Sequence, residues 1–287
     1  MTDETIRTLK IDDPDYPVHL RSIGHAPELL YYIGDISLIS SPLIGIVGTR
    51  RSSPYGRWAA KGIAAAVARC GIAVVSGMAE GIDSAAHWGC LDAGAPTVAV
   101  LGTGIDIPYP KSNEKLYHEI AKRGLILSEY PPGESGWKRN FPERNRIISG
   151  LSKSVVVVEG AIKSGSMITA RLALEQGRDV FAVPGNINQP NSVGVNRLIA
   201  DGAEPILSME DAAQTLGLSG AAFGIAISKL TDGEKLVIGA VLESPGANTE
   251  YVAFKSGLST RESAVLATAL ELKGFLYSEG GRYFVSK

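Results

Sequence analysis

Short apolar runs alternate with amphipathic helical patterns along the central part of the chain. The runs, rich in β-branched residues, are 43–47, 72–76, 96–101, 125–128, 154–158 and 179–183. The helical patterns are 56–70, 82–93, 112–123, 143–151 and 166–177. This alternation predicts βαβ units, and uninterrupted runs such as 155–158 indicate strands buried on both faces. We therefore expect an α/β fold with an extended Rossmann-like, mainly parallel sheet that has helices on both faces.

The two ends of the chain follow other patterns. Residues 1–40 show little periodicity, and we interpret them as a lead-in segment that wraps the core. The sheet domain is expected over 41–215, and the Gly/Ala/Ser-rich stretch 216–228 is expected to be a linker. Residues 229–287 predict three short helices and a β-hairpin, which together are typical of a small winged-helix domain.

Composition limits the possible classes of protein. The 287 residues carry a formal net charge of −2, so any site for an anion must be built locally. No apolar run is long enough to span a bilayer, and the polar N-terminus does not resemble a signal peptide. We therefore expect a cytoplasmic protein without membrane contact. Cys70 and Cys90 lie in apolar helical contexts, which predicts buried free thiols, and the scattered histidines predict no metal site and no cofactor.

Glycine-rich turns with polar or basic residues follow several predicted strands. In an open parallel sheet, ligands bind beyond the carboxyl ends of the strands, so these turns share one edge. Glycines allow close approach of the backbone, helix N-termini offer N–H donors, and arginines bind phosphate with two hydrogen bonds. The spacing matches neither the G-x-G-x-x-G nor the P-loop motif, so the prediction is an anion site without NTP hydrolysis. The two most informative turns contain Gly48, Thr49, Arg50 and Arg51 after the first strand, and Lys163, Ser164, Gly165 and Ser166 after the fifth.

The loop after the fourth predicted strand places an aromatic ring among basic side chains. Its residues of interest are Lys138, Phe141, Arg144, Asn145 and Arg146. Single-stranded nucleic acid requires cations along its backbone and a ring on which a base stacks, so this loop favours such a ligand. The same residues also allow a structural interpretation, in which Phe141 packs in the core and both arginines form ion pairs. Their acidic partners would then be Glu129, Glu143 or Glu159.

The remaining polar residues predict no catalytic centre. His87 lies among small residues in a predicted helix, which is typical of a packed, hydrogen-bonded histidine. Asp83 and Asp106 are expected to cap helices or to orient loop amides. Ser164 and Ser166 have no evident His/Asp partners, so a nucleophilic triad is not predicted.

Seven stretches, in order between about 44 and 205, carry a resemblance to a known family. They are GTRRSSPYG, SGMAEGIDSAAH, VLGTGIDIPYP, ILSEYPPG, FPERNRIISGLS, VVVVEGAIKSGSMITARLALEQGRDVFAVPG and GVNRLIADGA. Together they resemble the DNA-processing protein A (DprA/Smf) family, and the C-terminal part resembles the winged-helix module often appended to it. The resemblance implies a dimeric Rossmann-like core that binds single-stranded DNA, protects it, and helps to load the recombinase RecA in natural transformation, without catalysis.

The resemblance also implies which residues form the DNA-binding pocket. They are Gly48, Thr49, Arg50, Arg51, Lys138, Phe141, Arg144, Asn145, Arg146, Lys163, Ser164, Gly165 and Ser166. Lys138 and Phe141 match the basic and base-stacking positions of the long loop, and residues 144–146 match an R-N-R signature.

Two alternative functions compete with this interpretation. The fold also resembles nucleotide phosphoribohydrolases, but those carry a P-G-G-x-G-T-x-x-E motif where this chain reads EGAIKSGSMITA. A winged-helix transcription regulator is the other alternative. Its DNA-reading helix, 259–273, would begin with a capping box from Ser259 and Glu262 and would carry only Arg261 and Lys273 as basic residues, which disfavours duplex reading.

Overall fold

The computed structural model describes residues 5–218, 230–273 and 275–285. The chain divides into two compact units, Met1–Leu218 and Ser219–Lys287. Most of the stretch predicted to be a linker, from 219 to 228, lies outside the described residues, as does Gly274 in the predicted hairpin. Leu216 and Leu218, at the start of that stretch, are buried.

The first unit contains the predicted alternation of strands and helices. Its strands are β1 (Arg7–Lys10), β2 (Leu29–Gly34), β3 (Leu43–Val47), β4 (Val74–Ser76), β5 (Thr97–Leu101), β6 (Leu125–Ser128), β7 (Ser152–Val157), β8 (Asp179–Ala182) and β9 (Glu204–Pro205). Its helices are α1 (Val18–Arg21), α2 (Pro54–Arg69), α3 (Ile82–Asp92), α4 (Glu114–Arg123), α5 (Asn140–Leu151), α6 (Gly165–Glu175), α7 (Val193–Ala200) and α8 (Ala212–Thr215). The predicted strands and helices agree with these bounds to within about three residues.

The strands form one nine-stranded sheet in the order β1-β2-β6-β5-β4-β3-β7-β8-β9. The seven strands from β6 to β9 pair in parallel, which confirms the predicted α/β fold with a mainly parallel sheet. β1 and β2 extend it with antiparallel pairs, and β2 joins β6 through the register Tyr31↔Ser128. Residues 7–10 and 29–34 are therefore part of the sheet, whereas the sequence indicated only a lead-in segment.

Each face of the sheet is covered by its own apolar core. Successive side chains of β5 alternate between these cores: Val98 and Val100 pack with α5 residues, whereas Ala99 and Leu101 pack with α4 residues. This alternation follows from the two-residue period of a strand, and it explains why successive residues in the middle of the parallel strands are apolar. Both faces of the sheet are consequently closed, and its strand ends remain as the place for a ligand.

The chain reverses direction across the sheet at β3. From β3 it proceeds through β4, β5 and β6 on one side, and then crosses back to β7, β8 and β9 on the other side. In open α/β sheets, the crevice beyond the carboxyl ends at such a switch point is where ligands bind. The turns after β3 and β7 border this crevice.

Within 230–273 and 275–285, the described part of the second unit, the chain forms three helices and a small antiparallel sheet. They are α9 (Asp232–Glu243), α10 (Thr249–Ser256) and α11 (Thr260–Leu272), with the strands β10 (Ala247–Asn248), β11 (Leu276–Glu279) and β12 (Arg282–Val285). Ser259 and Glu262 form the expected capping box at α11, and Gly257 ends α10 with a positive φ of 71°. Lys273, one of the two basic residues noted for this helix, pairs with Glu234 at 2.6 Å.

Three further observations concern expectations from composition. Cys70 and Cys90 are buried free cysteines, as predicted. Among the residues that the structure describes, no helix has both the length and the apolar character that crossing a membrane requires. Within the same residues, no cluster of three or more His, Cys, Asp or Glu side chains has a metal-binding arrangement.

Candidate nucleic-acid interface

A cavity of about 600 Å³ lies at the switch point of the sheet. The predicted site residues that line it are Gly48, Thr49, Arg50, Arg51, Lys138, Phe141, Arg144, Asn145, Ser164, Gly165 and Ser166. These residues come from the turn after β3, the first turns of α5, and the turn before α6. Lys163 is exposed beside Ser164 but does not line the cavity, and neither does Arg146.

The turn after β3 is fixed by Glu159, the residue that follows the strand run of β7. Thr49 N donates to Glu159 O at 2.8 Å, and Ser53 N donates to Glu159 Oε2 at 2.9 Å. The Ser53 hydroxyl also donates to this carboxylate, while it accepts from Gly56 N as the N-cap of α2. A Cβ on Gly48 would lie 2.5 Å from Ile82, so only glycine permits this approach. The turn is thus held in place while Arg50 and Arg51 remain exposed.

Phe141 lines the cavity with the Arg50 guanidinium over its ring and the Tyr109 ring beside it. The Arg50 guanidinium carbon is 5.2 Å from the centre of the Phe141 ring, and the Tyr109 ring centre is 5.1 Å from it. Arg50 therefore makes a cation–π contact in the free protein. A Cβ on Gly102 would lie 2.8 Å from the Phe141 ring, so this glycine makes room for it. Phe141 is half-buried and borders the cavity, rather than packing wholly in the core.

The position of Phe141 depends on where α5 begins. The helix starts at Asn140, three residues before the predicted start at 143, and includes Pro142 in its first turn. Proline is compatible with the first turn, because the N–H groups there have no acceptor within the helix. The aromatic side chain is consequently part of a helix and not of a loop.

The N-terminus of α6 provides the polar wall of the cavity. The hydroxyls of Ser164 and Ser166 lie 2.7 Å apart, and Ser164 makes no side-chain capping bond to the helix. Asn145 Nδ2 donates to Gly165 O at 3.4 Å and so joins α5 to this turn. Free N–H groups and the positive end of the helix dipole make such a terminus suited to an anion.

Arg144 has a structural role beneath the cavity. It is only 4 % exposed, and its Nη1 donates to Gly77 O at 2.8 Å and to Val100 O, which joins the ends of β4 and β5. Burial lowers the pKa of Arg144 to about 10, and the negative charge of Asp83 opposes this shift. Burial likewise raises the pKa of Asp83, against the positive charge of Arg144 and hydrogen bonds from backbone amides, including Gly77 N at 3.2 Å.

Arg146 lies outside the site, and helix geometry explains why. Residues two apart on an α-helix point about 200° apart, so Arg144 and Arg146 cannot both face the cavity. Arg146 Nη2 instead binds both carboxylate oxygens of Glu129, at 2.6 and 2.8 Å. The ion pair with Glu129 that the sequence allowed is therefore present, and Arg146 does not line the cavity; its assignment to the DNA-binding residues stays a prediction.

Two residues of this site were not predicted from the sequence. Tyr109 packs against Phe141, and the only indication of its role in the sequence is its place between two prolines in IPYP. Glu159 fixes the first turn, but it was considered only as an ion-pair partner. The single acidic residue at the end of a strand of four valines could have indicated such a role, because a buried carboxylate needs hydrogen-bond donors.

The chain is similar to known proteins over most of its first unit. The family model described as DNA recombination-mediator protein A matches residues 7–217. Protein Smf of Synechocystis is 47 % identical over 211 residues, which cover 72 % of this chain and 53 % of that protein, so the match spans about half of the relative's length.

Two solved structures match the fold of the chain. The crystal structure of DNA processing protein A from Streptococcus pneumoniae has a TM-score of 0.70 at 42 % identity, covering 74 % of this chain and 75 % of that one. A structure of DNA processing protein A from Helicobacter pylori, described for its single-stranded DNA binding mode, has a TM-score of 0.68 at 34 % identity. It covers 75 % of this chain and 97 % of that one. With the family model spanning the whole sheet, this chain belongs to the DNA recombination-mediator protein A family.

Proposed function

We propose that this chain binds single-stranded DNA in the switch-point cavity and acts without catalysis as a recombination mediator. In this role it protects single-stranded DNA and helps to load RecA in natural transformation, as a homodimer in the cytoplasm. The Helicobacter pylori relative, whose structure is described for its single-stranded DNA binding mode, supports the choice of ligand.

One observation carries the proposal: the Arg50 guanidinium and the Phe141 ring lie 5.2 Å apart at the mouth of a cavity. A guanidinium binds phosphate and an aromatic ring stacks on a base, so one nucleotide engages both. The N-terminus of α6, with the hydroxyls of Ser164 and Ser166, offers a second place for a phosphate. Bases inside a duplex are stacked and paired, so a half-buried ring favours single strands.

The proposal of a non-catalytic role rests on how the nearby carboxylates are engaged. Glu159 accepts hydrogen bonds from the backbone and the hydroxyl of Ser53. Asp83 is buried beneath the cavity, where it accepts from Gly77 N. Acid–base catalysis requires a carboxyl group within hydrogen-bond reach of the substrate. Glu159 does not line the switch-point cavity, and Asp83 is buried and held by the backbone. Release of a free base from a nucleotide by the purified chain would contradict this part.

A fluorescence anisotropy titration tests the proposal. Labelled oligo-dT and a duplex of the same length are titrated across a salt series with the wild type, Arg50→Ala and Phe141→Ala. We expect preference for the single strand and a fall in log affinity with log salt, because bound cations release counterions. Arg50→Ala should reduce that slope by about 0.7 to 1. Phe141→Ala should weaken binding by about 1–3 kcal/mol with little change in slope.

Arg69→Ala is the matched control for Arg50→Ala. Arg69 is also exposed, but it lies at the opposite end of α2, on the order of 24 Å from the helix start. This control should bind as the wild type does. Equal affinity for both DNA forms, or no change with either site variant, would overturn the proposal.

A further inference from the structure

A second cavity, of about 820 Å³, lies on the other side of the turn after β3. Gly48–Arg51 border the switch-point cavity, whereas Ser53, Pro54 and Tyr55 border this one, which we call the Tyr55 cavity. The segment 184–192, which follows β8, forms its opposite wall. None of the site residues predicted from sequence lines it. Its size lies within the usual range of ligand pockets.

The lining of the Tyr55 cavity differs in chemistry from that of the first cavity. The side chains of Asn186, Gln189 and Asn191 provide amide donors and acceptors, and Tyr55 provides an aromatic ring. No lysine or arginine is among the residues that line it. A nucleobase stacks on aromatic rings, forms hydrogen bonds with amides and carries no negative charge, so it fits this lining.

Glu159 adds a feature that favours a base over a phosphate. Its carboxylate is buried, lines the cavity, and accepts from Ser53 through both oxygens. Each carboxylate oxygen can accept two hydrogen bonds, so acceptor capacity remains for a donor on a ligand. Amino and imino groups of bases are such donors, whereas a phosphate would be repelled.

Cationic groups lie at the turn between the two cavities. Arg57 Nη1 donates to Ser52 O at 2.7 Å, and Arg51 O accepts from Asn191 Nδ2 at 2.8 Å. Both arginines are exposed. The Cα atoms of residues 51 and 53 are at most about 7.6 Å apart, because successive Cα atoms are 3.8 Å apart. A DNA strand can therefore pass from one cavity to the other with a phosphate beside these guanidiniums.

The walls of the Tyr55 cavity are formed before any ligand binds. The Tyr55 hydroxyl donates to Pro184 O at 3.0 Å, which fixes the ring. The side-chain amide of Asn196 binds both Gly185 O, at 2.8 Å, and Gly185 N, at 3.1 Å, which fixes the opposite wall. A preformed pocket requires little ordering when a ligand enters.

We propose that the Tyr55 cavity is a second base-binding subsite, which takes another nucleobase of the strand held at Phe141. The base stacks on Tyr55 and hydrogen-bonds the amides of 186–191, and the linking phosphate lies beside Arg51 and Arg57. This subsite rests on the proposed single-stranded DNA function and extends it from one nucleotide to a path along the protein.

Photocrosslinking of the full chain locates the bases. A set of oligo-dT strands, each with one 5-iodouracil at a different position, is irradiated with the protein, and crosslinked peptides are identified by mass spectrometry. We expect some positions to crosslink to Phe141 or Tyr109 and others, a fixed number of nucleotides away, to Tyr55. Crosslinks to Phe141 without any to Tyr55 would overturn the subsite and leave the proposed function intact. Absence of both binding and crosslinks would instead overturn the function.

Two substitutions at Tyr55 separate stacking from structure. Tyr55→Leu removes the ring and should weaken binding of long oligo-dT about 5- to 100-fold, with a short oligomer that fills only one cavity affected much less. Tyr55→Phe removes only the bond to Pro184 O and should retain most of the affinity. Tyr251→Leu, at an exposed tyrosine of the second unit, is the matched control. Equal affinity of Tyr55→Leu and wild type for the long strand would contradict the subsite.

Discussion

His87 makes the stability of the first unit depend on pH. The residue is fully buried on α3, and its Nδ1 lies 2.8 Å from Thr97 Oγ1. The Thr97 hydroxyl donates its own proton to Val74 O at 2.8 Å, so it must accept from His87, and Nδ1 carries the imidazole proton. Nε2 is then unprotonated, and it has no hydrogen-bond partner among the described residues. Protonation would therefore create a buried charge with an unsatisfied N–H.

The size of this effect follows from the pKa of His87. Burial, together with the positive charge of Arg144, lowers this pKa from 6.5 to about 3. Below pH 6.5 the unfolded chain binds a proton at His87 that the folded chain does not bind. The stability that neutral, buried His87 contributes is therefore fully present above pH 6.5 and is lost as pH falls towards 3. Between pH 7 and pH 5 the free energy of unfolding should fall by about 2 kcal/mol through this group. The result changes little if the folded-state pKa is about one unit higher.

Urea unfolding at several pH values measures this loss. Trp58, Trp88 and Trp137, the three tryptophans of the chain, all lie in the first unit, so their fluorescence follows its unfolding. His87→Gln provides an uncharged amide in place of the imidazole and serves as the matched variant. Its decline in stability between pH 7 and pH 5 should be smaller than that of the wild type by about 2 kcal/mol. Parallel declines in the two proteins would refute the assignment of His87 as a buried neutral group.

Three further substitutions test the framework of the site. Arg144→Met should lower the free energy of unfolding by about 3–5 kcal/mol in urea titrations, because it leaves buried acceptors without their cation; a loss below about 1 kcal/mol would contradict the structural role. Gly102→Ala should displace the Phe141 ring, since the new Cβ would lie 2.8 Å from it, and should weaken oligo-dT binding in anisotropy without changing the salt slope. Glu159→Gln replaces one of the two oxygens that accept from Ser53, so thermal unfolding should show a loss of about 1–3 kcal/mol.

The parallel part of the sheet was predictable because its strands are buried on both faces. Continuous apolar runs such as 43–47 and 97–101 leave little choice of structure, and the glycines that follow them mark the ends of the strands. β1 and β2 were not predictable in the same way. Their residues are partly exposed, with burial patterns in which few positions are fully buried, so the two-residue alternation is weak. The pairing of β2 with β6 over a long sequence separation, and of β1 with β2, determines their structure instead.

The sequence was sufficient to predict most of the residues that line the candidate site, but not the role of each residue. Adjacent turns at one sheet edge were enough to bring residues 48–51 and 164–166 together. The sequence could not distinguish an exposed arginine of the lining, such as Arg50, from a buried one, such as Arg144, because both belong to polar segments that come after a predicted strand. Burial depends on the neighbours: Gly77 leaves space for the Arg144 guanidinium, and a Cβ there would lie 2.5 Å from it. Such a space is a property of the folded backbone alone.

The electrostatics of the site are compatible with the proposed anionic ligand despite a net charge of −2. Carboxylates near the cavity bind groups of the protein itself: Asp83 lies beside Arg144 below the surface, Glu159 accepts from Ser53, and Glu129 pairs with Arg146. Arg50, Arg51 and Lys138 are exposed at the same place. The field at the cavity is therefore positive only over a short range, since ions screen exposed charges beyond about 8–10 Å. On the proposed function, capture of a strand would depend on contact with the cavity and on stacking of a base at Phe141, and this requirement would favour single-stranded over duplex DNA.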